Sequence, residues 1–227
     1  MSMITIEDLS PSESRERTVL VLLPGAYMTA QDFVTHGLID AVRRRSWPVD
    51  VIAVETGMDS YLENNIVDRL HDEVISPARA AGAQRIWLGG ISLGAMGALL
   101  YAQRHREAVA GLLLLSPFIG SRGIVAEIDQ AGGIRNWRPE TAGELPVEHR
   151  LLKWLKPYKT GDPRWPAIHL AFGRDDRFAA AHRILAEILP TNNVLIGDGG
   201  HDWATWEKLW ERLMQTAPFG VPAGTEI

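Results

Sequence analysis

The stretch Arg85-Ile86-Trp87-Leu88-Gly89-Gly90-Ile91-Ser92-Leu93-Gly94-Ala95-Met96-Gly97-Ala98-Leu99-Leu100 decides the fold. Its first five residues form a mostly apolar run of the kind found in buried strands, and the small residues from Ala95 onward open a helix. Gly90 to Gly94 must therefore turn the chain sharply between the two. In such a Gly-x-Ser-x-Gly turn the serine adopts a strained backbone that lifts its hydroxyl out of the sheet. Side chains two residues before and after it would collide, and glycine at 90 and 94 removes the collision. The five-residue pattern alone is short enough to arise by chance in a minority of chains of this composition, and by itself is moderate evidence. Its place between a strand and a helix makes it informative.

Working outward, the chain alternates strand and helix signals. Thr18 to Leu23 is a short apolar run typical of a buried parallel strand, followed by Pro24-Gly25 and an amphipathic stretch from about Ala30 to Arg45. Thr29 and Asp32 resemble a capping pair at its start. Val49 to Val54 is the next strand, and a helical region from about Ser60 to Ala81 contains Pro77, which kinks or restarts it. Further strands fall at Val109 to Leu115, Ala167 to Phe172 and Asn193 to Ile196, with helices at about 178–189 and 203–216. This rhythm predicts an α/β fold: a mostly parallel central sheet with helices on both faces, in a single domain spanning 1–227. The rhythm breaks between Ser116 and Pro166, about fifty residues where a few would serve. This insertion, between the strands ending near Leu115 and Phe172, reads as a lid over about 118–165. A short amphipathic helix at Pro146 to Leu155 lies within it. The competing reading makes it a helix that covers the sheet edge.

Composition bounds the chemistry. At 227 residues and 46% hydrophobic, the chain can bury a sizeable core. A net charge of -5 leaves no basic footprint for nucleic acid. The absence of cysteine excludes disulfides, thiolate metal sites and a cysteine nucleophile, which leaves serine as the leading nucleophile. The first seventeen residues carry Glu7, Asp8, Glu13 and Glu16 and no apolar signal core, and no segment approaches 18 uninterrupted apolar residues. These features predict a cytoplasmic, soluble protein with no membrane partner. Neither a phosphate-binding Gly-x-x-x-x-Gly-Lys-Ser/Thr nor a Gly-x-Gly-x-x-Gly occurs, which disfavours nucleotide chemistry. A metal site at Asp198, His201 and Asp202 is conceivable, but no second histidine lies near it.

A nucleophilic serine needs a base and an orienting acid, and in a parallel sheet all three must come from loops at the carboxyl ends of strands. After Phe172 comes Gly173-Arg174-Asp175-Asp176-Arg177-Phe178; after Ile196 comes Gly197-Asp198-Gly199-Gly200-His201. Of the seven histidines only His201 lies in a glycine-rich loop between a terminal strand and a helix. Asp175 and Asp176 remain rival acids, and either could merely cap the following helix.

Taken together, these residues resemble the α/β-hydrolase fold family, and within it the small carboxylesterases and thioesterases. Leu23-Pro24-Gly25-Ala26 leading to Asp32-Phe33 is similar to the family's oxyanion loop, and Gly90 to Gly94 to its elbow. Asp176, between Gly173 and Phe178, and His201 after Gly200 stand where the family keeps its acid and histidine. Pro24 departs from the usual histidine, and the insertion is longer than usual. The resemblance implies a serine hydrolase that cleaves a small ester or thioester substrate without metal or cofactor. Ser92, Asp176 and His201 would form the triad, with the backbone amides of Ala26 and Leu93 as the oxyanion hole. Acyltransferase, peptidase or perhydrolase chemistry on the same triad stays open, as does a ligand-binding pseudoenzyme. Tyr27, Met28 and Phe118, with Trp137, Trp154 and Tyr158 from the insertion, are the expected walls of the substrate pocket.

Overall fold

A computed structural model describes residues 3–11, 16–139, 145–159, 162, 164–216 and 218–219. Residues 140–144, 160, 161 and 163 of the expected insertion, and Glu13 near the amino terminus, lie outside them. Seven strands form one sheet in the order β1-β3-β2-β4-β5-β6-β7. They are β1 (Thr5–Asp8), β2 (Thr18–Leu23), β3 (Val49–Val54), β4 (Arg85–Ile91), β5 (Gly111–Leu115), β6 (Ala167–Gly173) and β7 (Val194–Gly197). Every neighbouring pair is parallel except β1 with β3. The parallel pairing puts the carboxyl ends of β2, β4, β5, β6 and β7 on one edge.

The apolar runs explain the two-sided burial. In β2, Val19, Val21 and Leu23 enter one core while Leu20 and Leu22 enter the other, because successive side chains point to opposite faces. The first face is covered by α4 (Ile66–Leu70), α5 (Ser76–Ala80), α6 (Leu93–Arg104), α7 (Arg122–Gln130), α8 (Val147–Leu155) and α9 (Ala179–Ala186). The second is covered by α1 (Ala30–Thr35), α2 (Leu38–Arg44) and α10 (Trp203–Gln215). Asp32 Oδ2 accepts the Thr29 backbone N–H at 2.7 Å, the reciprocal half of the expected cap.

Several elements differ from the sequence expectation. The helical region after β3 is divided: α3 (Met58–Leu62) stops, Asn64 takes φ 55°, and the helix restarts at Ile66. It then passes through a π-helical turn at His71–Ile75 into α5, where Pro77 sits in the first turn and needs no donor. The amino-terminal strand β1 and helix α7 are additions. β1 has only four residues, too few for its alternation to register.

The region between β5 and β6 contributes to the core at several points. Ile124, Ile128, Ile134, Trp137, Leu151, Leu152, Leu155 and Tyr158 are all buried in the first core. Trp137 is 1% exposed, its indole N–H donates to Glu127 Oε1 at 2.8 Å, and its ring lies against His149. Trp137→Ala should therefore cost about 3 to 5 kcal/mol, read as a lower denaturation midpoint in urea with an unchanged slope.

His182 on α9 is 0% exposed, and its Nε2 donates to the Pro117 carbonyl at 3.0 Å. Burial lowers its pKa from 6.5 to about 4, against the opposing pull of Asp176. The folded state thus holds this ring neutral while the unfolded chain takes up a proton near pH 6.5. Stability should be intact above pH 6.5 and fall as the pH drops toward 4, by about 3 kcal/mol at roughly 1.4 kcal/mol per unit. Urea melts at intervals from pH 7 to 4 should show this slope, and His182→Gln should flatten it.

Candidate active site

The strand-to-helix turn between β4 and α6 leaves no space for side chains. A Cβ on Gly90 would stand 2.5 Å from the Ala95 nitrogen, and one on Gly94 would stand 2.1 Å from the Leu23 carbonyl oxygen. Both positions therefore exclude every other residue. Between them Ser92 holds φ 53° and ψ -111°, a strained conformation locked by its N–H donating to the Leu115 carbonyl at 2.9 Å. Its own carbonyl accepts from the Phe118 N–H at 3.0 Å, which ties the loop after β5 to the turn.

Three loops at the carboxyl edge meet over this serine. His201 Nε2 lies 2.9 Å from Ser92 Oγ, and His201 Nδ1 lies 2.8 Å from Asp176 Oδ2. The ionised carboxylate can only accept, so the ring proton belongs on Nδ1 and Nε2 is left to accept the serine hydroxyl. The side chains of His201 and Asp176 are 7% and 0% exposed. Phe178 and Trp206 stand edge-on to the imidazole at 5.1 and 5.0 Å, and so fix the ring plane. The loops carrying acid and histidine are laced together: Arg174 N–H donates to the Gly197 carbonyl at 2.8 Å and Asp175 N–H to that of Gly199 at 3.1 Å.

Burial alone would push the Asp176 carboxyl up. The His201 ring N–H, the Phe178 backbone N–H at 2.8 Å and the neighbouring Ser116 hydroxyl outweigh it and hold the group below its ordinary value. Asp176 thus stays ionised beside the imidazole. The rival Asp175 is exposed, and among the described residues its carboxylate has no partner. Asp198 pairs with Arg174 at 2.7 Å and Asp202 accepts from Thr205 N–H at 2.9 Å as the cap of α10, so each has a structural use beside His201.

The amides of Ala26 and Leu93 have no acceptor among the described residues. Leu93 opens α6, where the first N–H groups are left unpaired. The Pro24-Gly25 turn packs on the elbow: a Cβ on Gly94 would also lie 2.5 Å from the Pro24 carbonyl oxygen, and one on Gly25 3.3 Å from that of Ile91. Tyr27 follows with φ 62° and is 95% exposed, while the Met28 sulfur folds back over Gly25.

Of the expected pocket walls, Phe118 comes to the site by its hydrogen bond to Ser92, and Tyr27 and Met28 by their loop. Trp137, Trp154 and Tyr158 do not. Trp137 lies in the core between α7 and α8. The Tyr158 hydroxyl donates to the Pro166 carbonyl, just before β6 begins, and Trp154 packs on Trp165 beside it at 5.2 Å. This is the amino edge of the sheet, opposite Ser92. The 3.6-residue period of α8 turns Leu151, Leu152 and Leu155 into the core, with Trp154 half-buried beside them. Sequence reasoning missed Ser116 and His182. Each is buried beside Asp176 only through tertiary packing, and neither carries a local signal.

Residues 20–224 match the profile described as the alpha/beta hydrolase family. An acetyl esterase of Caldicellulosiruptor saccharolyticus is 27% identical over 139 residues, which is 55% of this chain and 51% of that protein. The chain therefore spans about half the length of this curated relative. Among solved structures, an S-formylglutathione hydrolase from Staphylococcus aureus aligns with a TM-score of 0.62 at 14% identity, covering 94% of this chain and 95% of the other. An S-formylglutathione hydrolase from Agrobacterium tumefaciens gives a TM-score of 0.59 at 13% identity, covering 96% and 89%. The profile extends over both the elbow and the loops that carry Asp176 and His201, and the chain belongs to the alpha/beta hydrolase family.

Proposed function

We propose that this protein is a serine hydrolase that cleaves carboxylic esters or thioesters of small molecules through an acyl-enzyme. The observation that carries the reading is the unbroken Ser92-His201-Asp176 chain, with contacts of 2.9 and 2.8 Å, set beside two unpaired amides. Similarity to an acetyl esterase supports ester chemistry.

The roles follow from the geometry. His201 Nε2 takes the proton of Ser92 as Oγ attacks the carbonyl carbon, and Asp176 stabilises the imidazolium that results. The N–H groups of Ala26 and Leu93 donate to the oxyanion of the tetrahedral intermediate. Collapse breaks the bond to the alcohol or thiol, which leaves with the proton from Nε2. Water then gives its proton to Nε2, attacks the acyl-enzyme and releases the acid. Both carboxylate and imidazole are nearly dry, so these charges act in a low dielectric. The chemistry draws on no metal and no cofactor.

Ser92→Ala should reduce hydrolysis of 4-nitrophenyl acetate to background and abolish labelling by a fluorophosphonate, while the melting temperature holds because the side chain packs little. Labelling that persists in the variant would place the nucleophile elsewhere. Labelling of the wild type without turnover of any ester or acyl thioester would favour transfer chemistry on the same serine.

Asp176→Asn should lower kcat by about 10³ to 10⁴, since the amide presents a donor to Nδ1 and favours the wrong tautomer, whereas Asp175→Asn should cost about tenfold or less. Steady-state kinetics on one ester, with circular dichroism to establish folding, distinguishes the two aspartates.

A further inference from the structure

A groove of about 150 Å³ runs between α7 and α9, with Phe178 in its lining. A dry cavity of about this size holds a benzene ring. Its walls are Val125 and Ala126 of α7 and Ala180 and Ala181 of α9, with Phe178 at one end. The same Phe178 ring stands edge-on to His201 at 5.1 Å and packs against Phe118 at 5.4 Å. Phe178 thus both lines the groove and touches the histidine of the triad.

Two arginines rim the groove at this end. Arg122 opens α7, and Arg177 lies with its guanidinium carbon 4.9 Å from the Phe178 ring centre. Some arginines elsewhere pair with carboxylates, such as Arg174 with Asp198 and Arg43 with Asp8, and others, such as Arg79 and Arg183, bond backbone carbonyls. Among the described residues, neither Arg122 nor Arg177 has an anionic partner. The carboxylate that also lines the groove, Asp129, is seven residues along α7, about 10 Å from Arg122 at 1.5 Å per residue. In a chain of net charge -5, this apolar groove carries two guanidinium groups in its lining against one carboxylate, Asp129.

We propose that this groove is a substrate subsite for a compact apolar group that ends in a carboxylate, the body lying between α7 and α9 and the carboxylate held by Arg122 and Arg177. This rests on the hydrolase reading and adds to it a substrate class: esters whose non-reacting part is anionic. Guanidinium groups bind carboxylates with paired, charge-assisted hydrogen bonds, which an uncharged amide of equal size cannot replace.

Two pairs of probes test it. The first is 3-(4-acetamidophenyl)propionate and its primary amide, titrated by calorimetry into the full-length Ser92→Ala protein, so that no turnover is needed. The acid should bind about tenfold tighter, and Arg122→Gln with Arg177→Gln should erase that preference while the amide's affinity holds. The second pair is 3-(4-acetoxyphenyl)propionate and its amide, whose leaving groups are alike. Their ratio of kcat/KM should fall about tenfold in the double variant, with 4-nitrophenyl acetate unchanged. Ala126→Leu, which fills the groove, should weaken the acid and spare 4-nitrophenyl acetate. Equal binding of acid and amide, or a preference that survives in the double arginine variant, overturns the subsite even if simple acetates are hydrolysed. A binding preference that depends on the arginines in a protein that turns over no ester leaves the subsite standing and overturns the hydrolase reading instead.

Discussion

The close approach of α6 to the Leu23-Pro24 backbone is the constraint on which the rest of the structure depends. At Gly94 the separation is shorter than any side chain allows, and at Gly90 the chain folds back on its own helix. Both contacts follow from the same demand, that a strand in the middle of a sheet pass into a helix within a single turn. The sheet order places β4 between β2 and β5, so the turn is held by neighbours on both sides: by Leu23 and Pro24 on one, and by Leu115 and Phe118 on the other. Strain at Ser92 persists because these neighbours fix every degree of freedom around it.

Around that fixed point the electrostatics are arranged by burial rather than by net charge. Asp176 remains ionised in a dry setting because the donors around it outweigh the loss of water, while His182, which packs near it, is kept neutral because burial outweighs the pull of Asp176 and of its carbonyl partner. Hydrogen bonds outweigh burial at Asp176 and keep it ionised, whereas burial outweighs them at His182 and keeps it neutral. The neutral ring anchors Pro117 and so the segment that binds the carbonyl of Ser92.

The sheet, the elbow and the loops bearing Asp176 and His201 were legible in the sequence because each rests on a local rule. Apolar runs of five or six residues must be buried strands, and polar residues just past them must stand at one edge. Its place after Gly173 favours Asp176 over Asp175, and the turn there, with Asp176 N–H donating to the Gly173 carbonyl at 3.1 Å, carries the Asp176 carboxylate to His201. Trp137, Trp154 and Tyr158 were misplaced because large aromatics suit a pocket wall and a core equally well, and composition does not say which edge of the sheet a helix will face. Strand β1 is too short to show a period, and Arg122 and Arg177 acquire meaning only when two helices distant in sequence lie side by side.

The helices that follow the three site loops do not share a layer. α6 and α9 lie in the core on one face of the sheet, and α10 lies in the other. The hydrogen-bonded line from Ser92 to Asp176 therefore joins loops whose following helices pack on opposite faces of the sheet. Its three anchors hang from the ends of β4, β6 and β7, while Trp206 of α10 holds the plane of the imidazole between them. The geometry is in effect a gauge of the distance between β4 and β7. Heat or denaturant should lose the Ser92-His201-Asp176 alignment at the latest in the step that parts the strands.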